Sequence, residues 1–193
     1  LELATSGEHE ALLAELRARY RRLAEDLDLN ADDLIGEYLE ELEQIVAGIR
    51  LVREVSHRVH VKIMSLGELM TTRLGAAYLQ SQGLPVGWVD ARDVLVSVES
   101  PNLAERAGFL SATCSYDPQV ALQADFTGRA EIVLTQGFIA SNPRGEGVLL
   151  GRGGSDTSAA YFAAKLQAQR LEIWTDVPGM FSADPRMVSG ARL

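Results

Sequence analysis

An apolar run, "GVLL" at 147–150, breaks on "GRGGSD" and passes directly into "TSAAYFAAK", a stretch with the composition of a helix. A strand that becomes a helix through Gly151, Gly153 and Gly154 restricts the chain to folds in which strands and helices alternate. The alternation recurs along the sequence. "VGWVD" after Pro85, "VLVSV" at 94–98, "EIVLTQGFIAS" at 131–141 and "LEIWTDV" at 171–177 read as strands, and "GFLSAT" at 108–113 as a further short one. "DPQVALQADF" at 117–126 reads as a short helix with Pro118 in its first turn, and 155–169 as the helix after the glycine turn. The expected class is α/β with a largely parallel sheet. Ligands bind such sheets beyond the carboxyl ends of the strands. Three loops fall there: "TQGFIAS" at 135–141, "GRGGSD" at 151–156 and "TDVPGMFSADPR" at 175–186.

The amino-terminal part is helical by pattern. Leu12, Leu16, Tyr20, Leu23 and Leu27 form one face of a helix over 8–27. A second helix follows Asn30, a suitable N-cap, with the stripe Ile35, Leu39, Leu42, Val46 and Ile49. A third spans 56–82 with Ile63, Met70, Leu74 and Tyr78 inward and Gly83 as its stop. It contains "SLGE", in which Ser65 and Glu68 share a face. Gly67 in a helix interior costs about 1 kcal/mol relative to alanine, which points to a close backbone approach there. Alone, Glu68 reads as an exposed acid at a helix edge.

Charge narrows the function. Eighteen basic against 27 acidic residues leave a net charge of −9, which argues against the basic face that nucleic-acid binding needs. The single cysteine, Cys114, has no internal disulfide partner, and no Cys/His cluster has metal-ligand spacing. No run approaches membrane-spanning length, and the start "LELATSGEHE" has no leader pattern, so a soluble cytoplasmic chain without membrane partners is expected. The absence of an initiator methionine at Leu1 and the stop after "SGARL" suggest a piece of a longer polypeptide. The three histidines are expected in surface roles on helical stretches.

The glycine turn is the strongest chemical feature. Glycines let backbone N–H groups face a ligand, and the following helix N-terminus adds partial positive charge. Arg152 supplies a fork for carboxylate or phosphate. Ser155 also fits a plain N-cap, Asp156 suits the first turn of any helix, and the glycines suit any tight turn. Arg152 tips the balance, because a turn without a ligand gains nothing from it. The pattern is neither a P-loop nor a dinucleotide fingerprint. In 175–186, Thr175 and Asp176 suit a ribose or adenine contact, Phe181 suits stacking and Arg186 a phosphate. From spacing alone, the loop reads as Asp/Pro turn chemistry.

Taken together, "TQGFIAS", "GRGGSDTSAA", "LEIWTDVPGMFSADPRMVSGARL" and the upstream "SLGELM" closely resemble the catalytic domain of aspartokinases, members of the amino acid kinase family. The likeness is dense from Glu131 to Leu193 and clear at 65–69. It implies a three-layer α/β/α sandwich, incomplete here, with 1–193 a partial catalytic domain: a mainly helical part at 1–83 and an α/β part at 84–193. It also implies transfer of the ATP γ-phosphate to the β-carboxylate of L-aspartate, with Mg2+, as the first step toward lysine, threonine and methionine.

By the same resemblance Glu68 holds the substrate ammonium and Arg152 a substrate carboxylate. Phe138, Gly153, Gly154 and Ser155 line that pocket, Asp156 organises phosphate transfer, and Thr175, Asp176, Phe181 and Arg186 contact the nucleotide. The family's amino-terminal "KFGGTSV" strand, its later lysine segment and its regulatory domains have no counterpart here, so the chain alone is expected to be inactive or nearly so. Phe181 stands where the family usually has tyrosine. The full-length protein is expected to be a homodimer and to be either monofunctional or fused to homoserine dehydrogenase or diaminopimelate decarboxylase. Two alternatives remain open: another amino acid kinase acting on a different acid, and a non-catalytic fragment that binds ligand or a partner.

Overall fold

The computed structural model describes residues 9–99, 102–175, 179, 181–184 and 186–192. Helix α1 (Glu10–Asp26) and α2 (Ala31–Val52) form a hairpin, followed by the long α3 (His57–Ser81). The Asn30 side chain accepts from the Asp32 N–H at 3.0 Å and caps α2, while Ser56 accepts from the Val59 N–H at 3.3 Å and caps α3. Gly83 follows in the left-handed region, as a helix stop requires.

The α2 stripe is buried throughout, at Ile35, Leu39, Leu42, Val46 and Ile49. The α1 face is rotated from expectation: Leu16 and Tyr20 pack on the helical core as expected, but Leu12 and Leu23 are exposed, and Leu13 and the fully buried Ala24 take their place. A small residue lets two helices approach closely, so the face follows Ala24 rather than the larger leucines. His9, just before α1, is buried rather than superficial.

Helix α3 divides its apolar residues between two cores. Leu66, Met70 and Leu74 join the helical cluster, whereas Val61 and Leu69 join the cluster built on the strands. Strand β1 (Val86–Val89) pairs in parallel with β2 (Ile132–Thr135), Val86 opposite Ile132 and Val89 opposite Thr135. Strands β3 (Ile139–Ser141) and β4 (Gly147–Leu149) form an antiparallel hairpin beside this pair. Helix α3 lies against β1, β2 and β4, and its Gly75 lets Leu134 of β2 approach to 3.5 Å of where a Cβ would stand. Gly67 plays no such part, since nothing lies within 4 Å of a Cβ built there.

Several local expectations are corrected. Residues Glu105–Leu110 form a short helix, α4, where a strand over 108–113 was expected. Phe109 anchors it in the core, and a single buried position per turn serves a helix as well as a strand. Residues 94–98 contribute only isolated bridges, Val96 to Ser141 and Ser97 to Cys114, after a 3-10 turn at Ala91–Asp93. Helix α5 (Val120–Arg129) begins after Gln119, so Pro118 lies outside its first turn. Residues 171–175 take no strand pairing, and their apolar side chains stay exposed, Trp174 at 90%. Alternating apolar residues form a strand only where a ladder partner exists. Helix α6 spans Gly154–Lys165, and its Tyr161 and Phe162 pack on the strand core.

Candidate active site

The parallel pair and the hairpin bring two of the three loops together. Residue 136 leaves the carboxyl end of β2, and 150 leaves the carboxyl end of β4, at the open end of the hairpin. There the Leu150 N–H donates to the Phe138 carbonyl at 2.9 Å. The loops then interlock at two glycines. A Cβ on Gly137 would stand 2.9 Å from Ser155 Cα and 3.0 Å from its Cβ and Oγ. A Cβ on Gly154 would stand 2.7 Å from Phe138 Cδ2 and 3.1 Å from Phe138 Cα.

Phe138 itself has φ +69°, a left-handed backbone that costs a non-glycine residue on the order of 1–2 kcal/mol. The surroundings impose it. Its carbonyl is held by Leu150, and its N–H donates to Ser158 Oγ at 2.8 Å. Ser158, 1% exposed, donates onward to the Gly154 carbonyl at 2.6 Å. Sequence spacing does not reveal Ser158, because its partner lies twenty residues away. Ser158→Ala should leave the Phe138 N–H without a partner and cost about 1–3 kcal/mol in a denaturant unfolding experiment. An unchanged midpoint would show that the N–H is satisfied otherwise.

The glycine turn leaves backbone N–H donors at the start of α6. Gly151 and Gly153 have φ of +77° and +70°. The Gly154 N–H donates to the Gly151 carbonyl, and the Thr157 N–H and hydroxyl both donate to the Gly153 carbonyl. Among the described residues the N–H groups of Ser155 and Asp156 find no backbone acceptor outside the helix, and as first-turn donors they have none within it. Gly153, not Ser155, occupies the N-cap position, which leaves Ser155 exposed in the first turn with no capping role. Arg152 and Asp156 are also exposed, and neither side chain makes a hydrogen bond or ion pair among the described residues.

Glu68 lies half-buried on α3, and burial raises its pKa above the ordinary carboxylate range. Its turn is tied to the site through Thr72, whose hydroxyl donates to the Glu68 carbonyl at 2.9 Å and accepts from Gln136 at 2.8 Å. The third loop stands differently. Thr175 is exposed, Phe181 half-buried, and Arg186 is exposed and paired with Asp184 of its own turn. No hydrogen bond or ion pair joins Phe181 or Arg186 to the glycine turn among the described residues. Asp176 lies outside the described residues. Cys114 is buried and its thiol is pushed up to about 11 by desolvation, which makes it an inert core residue. Among the described residues no group of three or more His, Cys, Asp or Glu could hold a metal, and no helix is long and apolar enough to cross a membrane.

Residues 6–193 match the model of the amino acid kinase family. The chain belongs to that family. Among its relatives is the bifunctional aspartokinase/homoserine dehydrogenase 2 of Escherichia coli, 39% identical over 84% of the chain and 19% of that protein. The lysine-sensitive aspartokinase 3 of the same organism is 34% identical over 79% of the chain and 34% of that protein. The solved structure of Escherichia coli aspartokinase III in complex with aspartate and ADP superposes with a TM-score of 0.79 at 32% identity, covering 96% of the chain and 40% of that structure. The expected α/β aspartokinase-like fold is thereby borne out. The chain spans about a third or less of the length of these curated relatives. In this member of the amino acid kinase family, then, the β2–β3 turn and the glycine turn are packed together, and Thr72 ties the turn that bears Glu68 to Gln136.

Proposed function

We propose that the chain carries the aspartate-binding side of an aspartokinase and that 1–193 is part of its catalytic domain. The polypeptide containing it transfers the ATP γ-phosphate to the L-aspartate β-carboxylate, the entry step to lysine, threonine and methionine. The observation that supports this reading is the interlock of Gly137 with Ser155 and of Gly154 with Phe138, which packs the β2–β3 turn against the turn that carries Arg152 and the first N–H groups of α6.

The chemistry suits that arrangement. An aspartate side chain has a pKa of about 3.9, so it is ionised at neutral pH and needs no general base. What the protein must supply is positioning and neutralisation as two anions approach. Arg152 takes a substrate carboxylate through two parallel N–H bonds, and Glu68 takes the ammonium. Phe138, Gly153, Gly154 and Ser155 shape the pocket wall. The N–H groups of Ser155 and Asp156 face the developing charge. Asp156 is a lone carboxylate, and Mg2+ commonly binds one or two carboxylates together with substrate phosphates, so it fits such an ion beside a nucleotide. Bound there, Mg2+ would neutralise phosphate charge. Thr175, Asp176, Phe181 and Arg186 serve the nucleotide.

The test is acyl-phosphate trapping with hydroxylamine on the complete polypeptide, with aspartate, glutamate and N-acetylated analogues offered in parallel. Aspartate should be preferred, and loss of the free amino group should abolish turnover. Turnover of a different acid would assign another member activity. ATP and aspartate binding without turnover would support a binding role, the reading favoured by the pairing of Arg186 with Asp184 rather than with the glycine turn.

Glu68 gives a pH prediction. Its folded pKa lies above its unfolded one, so the stability it contributes is present at low pH and lost as pH rises through the folded value. At neutral pH Glu68→Gln should therefore keep or raise the unfolding temperature, while the aspartate KM rises at least about tenfold from loss of a charge-assisted bond. In the unsubstituted protein the aspartate KM should climb as pH falls through that raised pKa. A flat KM down to the usual carboxylate range would remove Glu68 from the ammonium site.

A further inference from the structure

Gln136 is 1% exposed and lies between β2 and the left-handed Phe138, and both polar atoms of its amide have a partner. Its Oε1 accepts the Ala91 N–H at 2.7 Å, and its Nε2 donates to Thr72 Oγ1 at 2.8 Å. The Ala91 N–H can only donate, which fixes the orientation of the amide. Thr72 Oγ1 also accepts from Trp88 Nε1 at 3.0 Å. With both lone pairs taken by groups that can only donate, its own hydrogen must go to a carbonyl. The Glu68 carbonyl stands at 2.9 Å and that of Leu69 at 3.2 Å. The network thus has one direction throughout. It begins at the backbone beyond β1, crosses the β2–β3 turn, and ends on the helical turn that bears Glu68.

We propose that Gln136, acting through Thr72, is a positioning residue that sets the separation between Glu68 and the glycine turn. The inference rests on the reading of this site as an aspartate pocket. On one side Gln136 is bound to the Glu68 turn of α3. On the other it is followed by Gly137 and Phe138, which pack against Ser155 and Gly154 so closely that neither glycine has room for a Cβ. The two ends of a bound amino acid, ammonium and carboxylate, are gripped by groups from these two sides, and the amide is the hydrogen-bonded link between them. A buried network with every member satisfied rigidifies what it joins, and loss of one member leaves the others unpaired. Gln136 touches no substrate in this arrangement. Its effect is on distance, so it acts on the amino acid and not on the nucleotide.

The experiment uses the complete polypeptide with Gln136→Leu, Thr72→Val, Thr72→Ser and the double variant Gln136→Leu/Thr72→Val. Gln136→Leu and Thr72→Val should each raise the aspartate KM on the order of tenfold and leave the ATP KM within about twofold. Thr72→Ser, which keeps the hydroxyl, should restore the parent value. The double variant should be no worse than the poorer single one, since both break the same link. Equal rises in both KM values, additive losses, or a lowered unfolding temperature with unchanged aspartate KM would overturn the proposal. Should Gln136→Leu fail to fold, the contrast between Thr72→Val and Thr72→Ser decides. An unsubstituted enzyme that turns over other acids but not aspartate would overturn the pocket reading instead.

Discussion

Alanine at Gly137 should slow acyl-phosphate formation on the order of a hundredfold while leaving most of the fold in place. The added methyl would stand 2.9 Å from Ser155 Cα, a backbone atom at the start of α6 that has no rotamer by which to withdraw. The β2–β3 turn must then lift from the helix, taking Phe138 with it. Overpacking of this kind costs about 1–3 kcal/mol, but the larger effect is geometric. A displacement of about 1 Å in a site that works by positioning costs on the order of a hundredfold in rate. Kinetics of the complete polypeptide beside thermal unfolding would separate the two effects. Gly67→Ala is the comparison: nothing lies within 4 Å of its Cβ, so it should stabilise the helix by up to about 1 kcal/mol. Parent-like kinetics in Gly137→Ala would refute the interlock as the basis of the site.

Arg152→Ala should lower kcat/KM for aspartate by about 10²–10³-fold, mostly through KM, with the unfolding temperature unchanged. The separation of function from stability follows from the structure, because the Arg152 side chain is exposed and has no partner among the described residues to lose. Arg152→Lys should recover little. A lysine keeps the charge but presents a point, where two parallel N–H bonds to a carboxylate need a planar fork. Full activity in Arg152→Lys would show that the turn supplies charge alone.

The parts of this molecule that were readable from the sequence are those in which local pattern and tertiary surroundings agree. The α2 stripe is one, since each position from Ile35 to Ile49 is a large aliphatic residue with a single possible inward face. On α1 the leucine spacing gave one face, and the buried face is turned from it toward Ala24, a residue with little hydrophobic weight. Gly67 and Gly137 show the same limit. A glycine inside a helix invited a close-approach reading and has open space, while Gly137 lay unremarked in "TQGFIAS" and has the tight contact. In the site, Arg152, Gly153, Gly154 and Ser155 were legible as residue types suited to an anion, while Phe138 entered only through the family resemblance; the fold packs Phe138 against Gly154. The network of Ser158, Gln136 and Thr72 was not, because it joins residues as much as 64 positions apart and no local spacing encodes that. The strand expected at 171–177 is absent over its described part, 171–175, for a related reason: its partner is a matter of topology, not of its own alternation.

Helix α3 belongs to two cores at once, with Leu66, Met70 and Leu74 on one side and Val61 and Leu69 on the other. Such an element leaves no seam along which the helical hairpin and the strands could melt in stages. Loosening either cluster withdraws support from the same 25-residue rod, so the two should unfold as one cooperative transition. Damage far from the chemistry therefore acts through population. A cavity made at Leu39 or Val46 would lower the fraction of folded molecules and not the rate of any one of them, and kinetics normalised to folded protein would look unchanged.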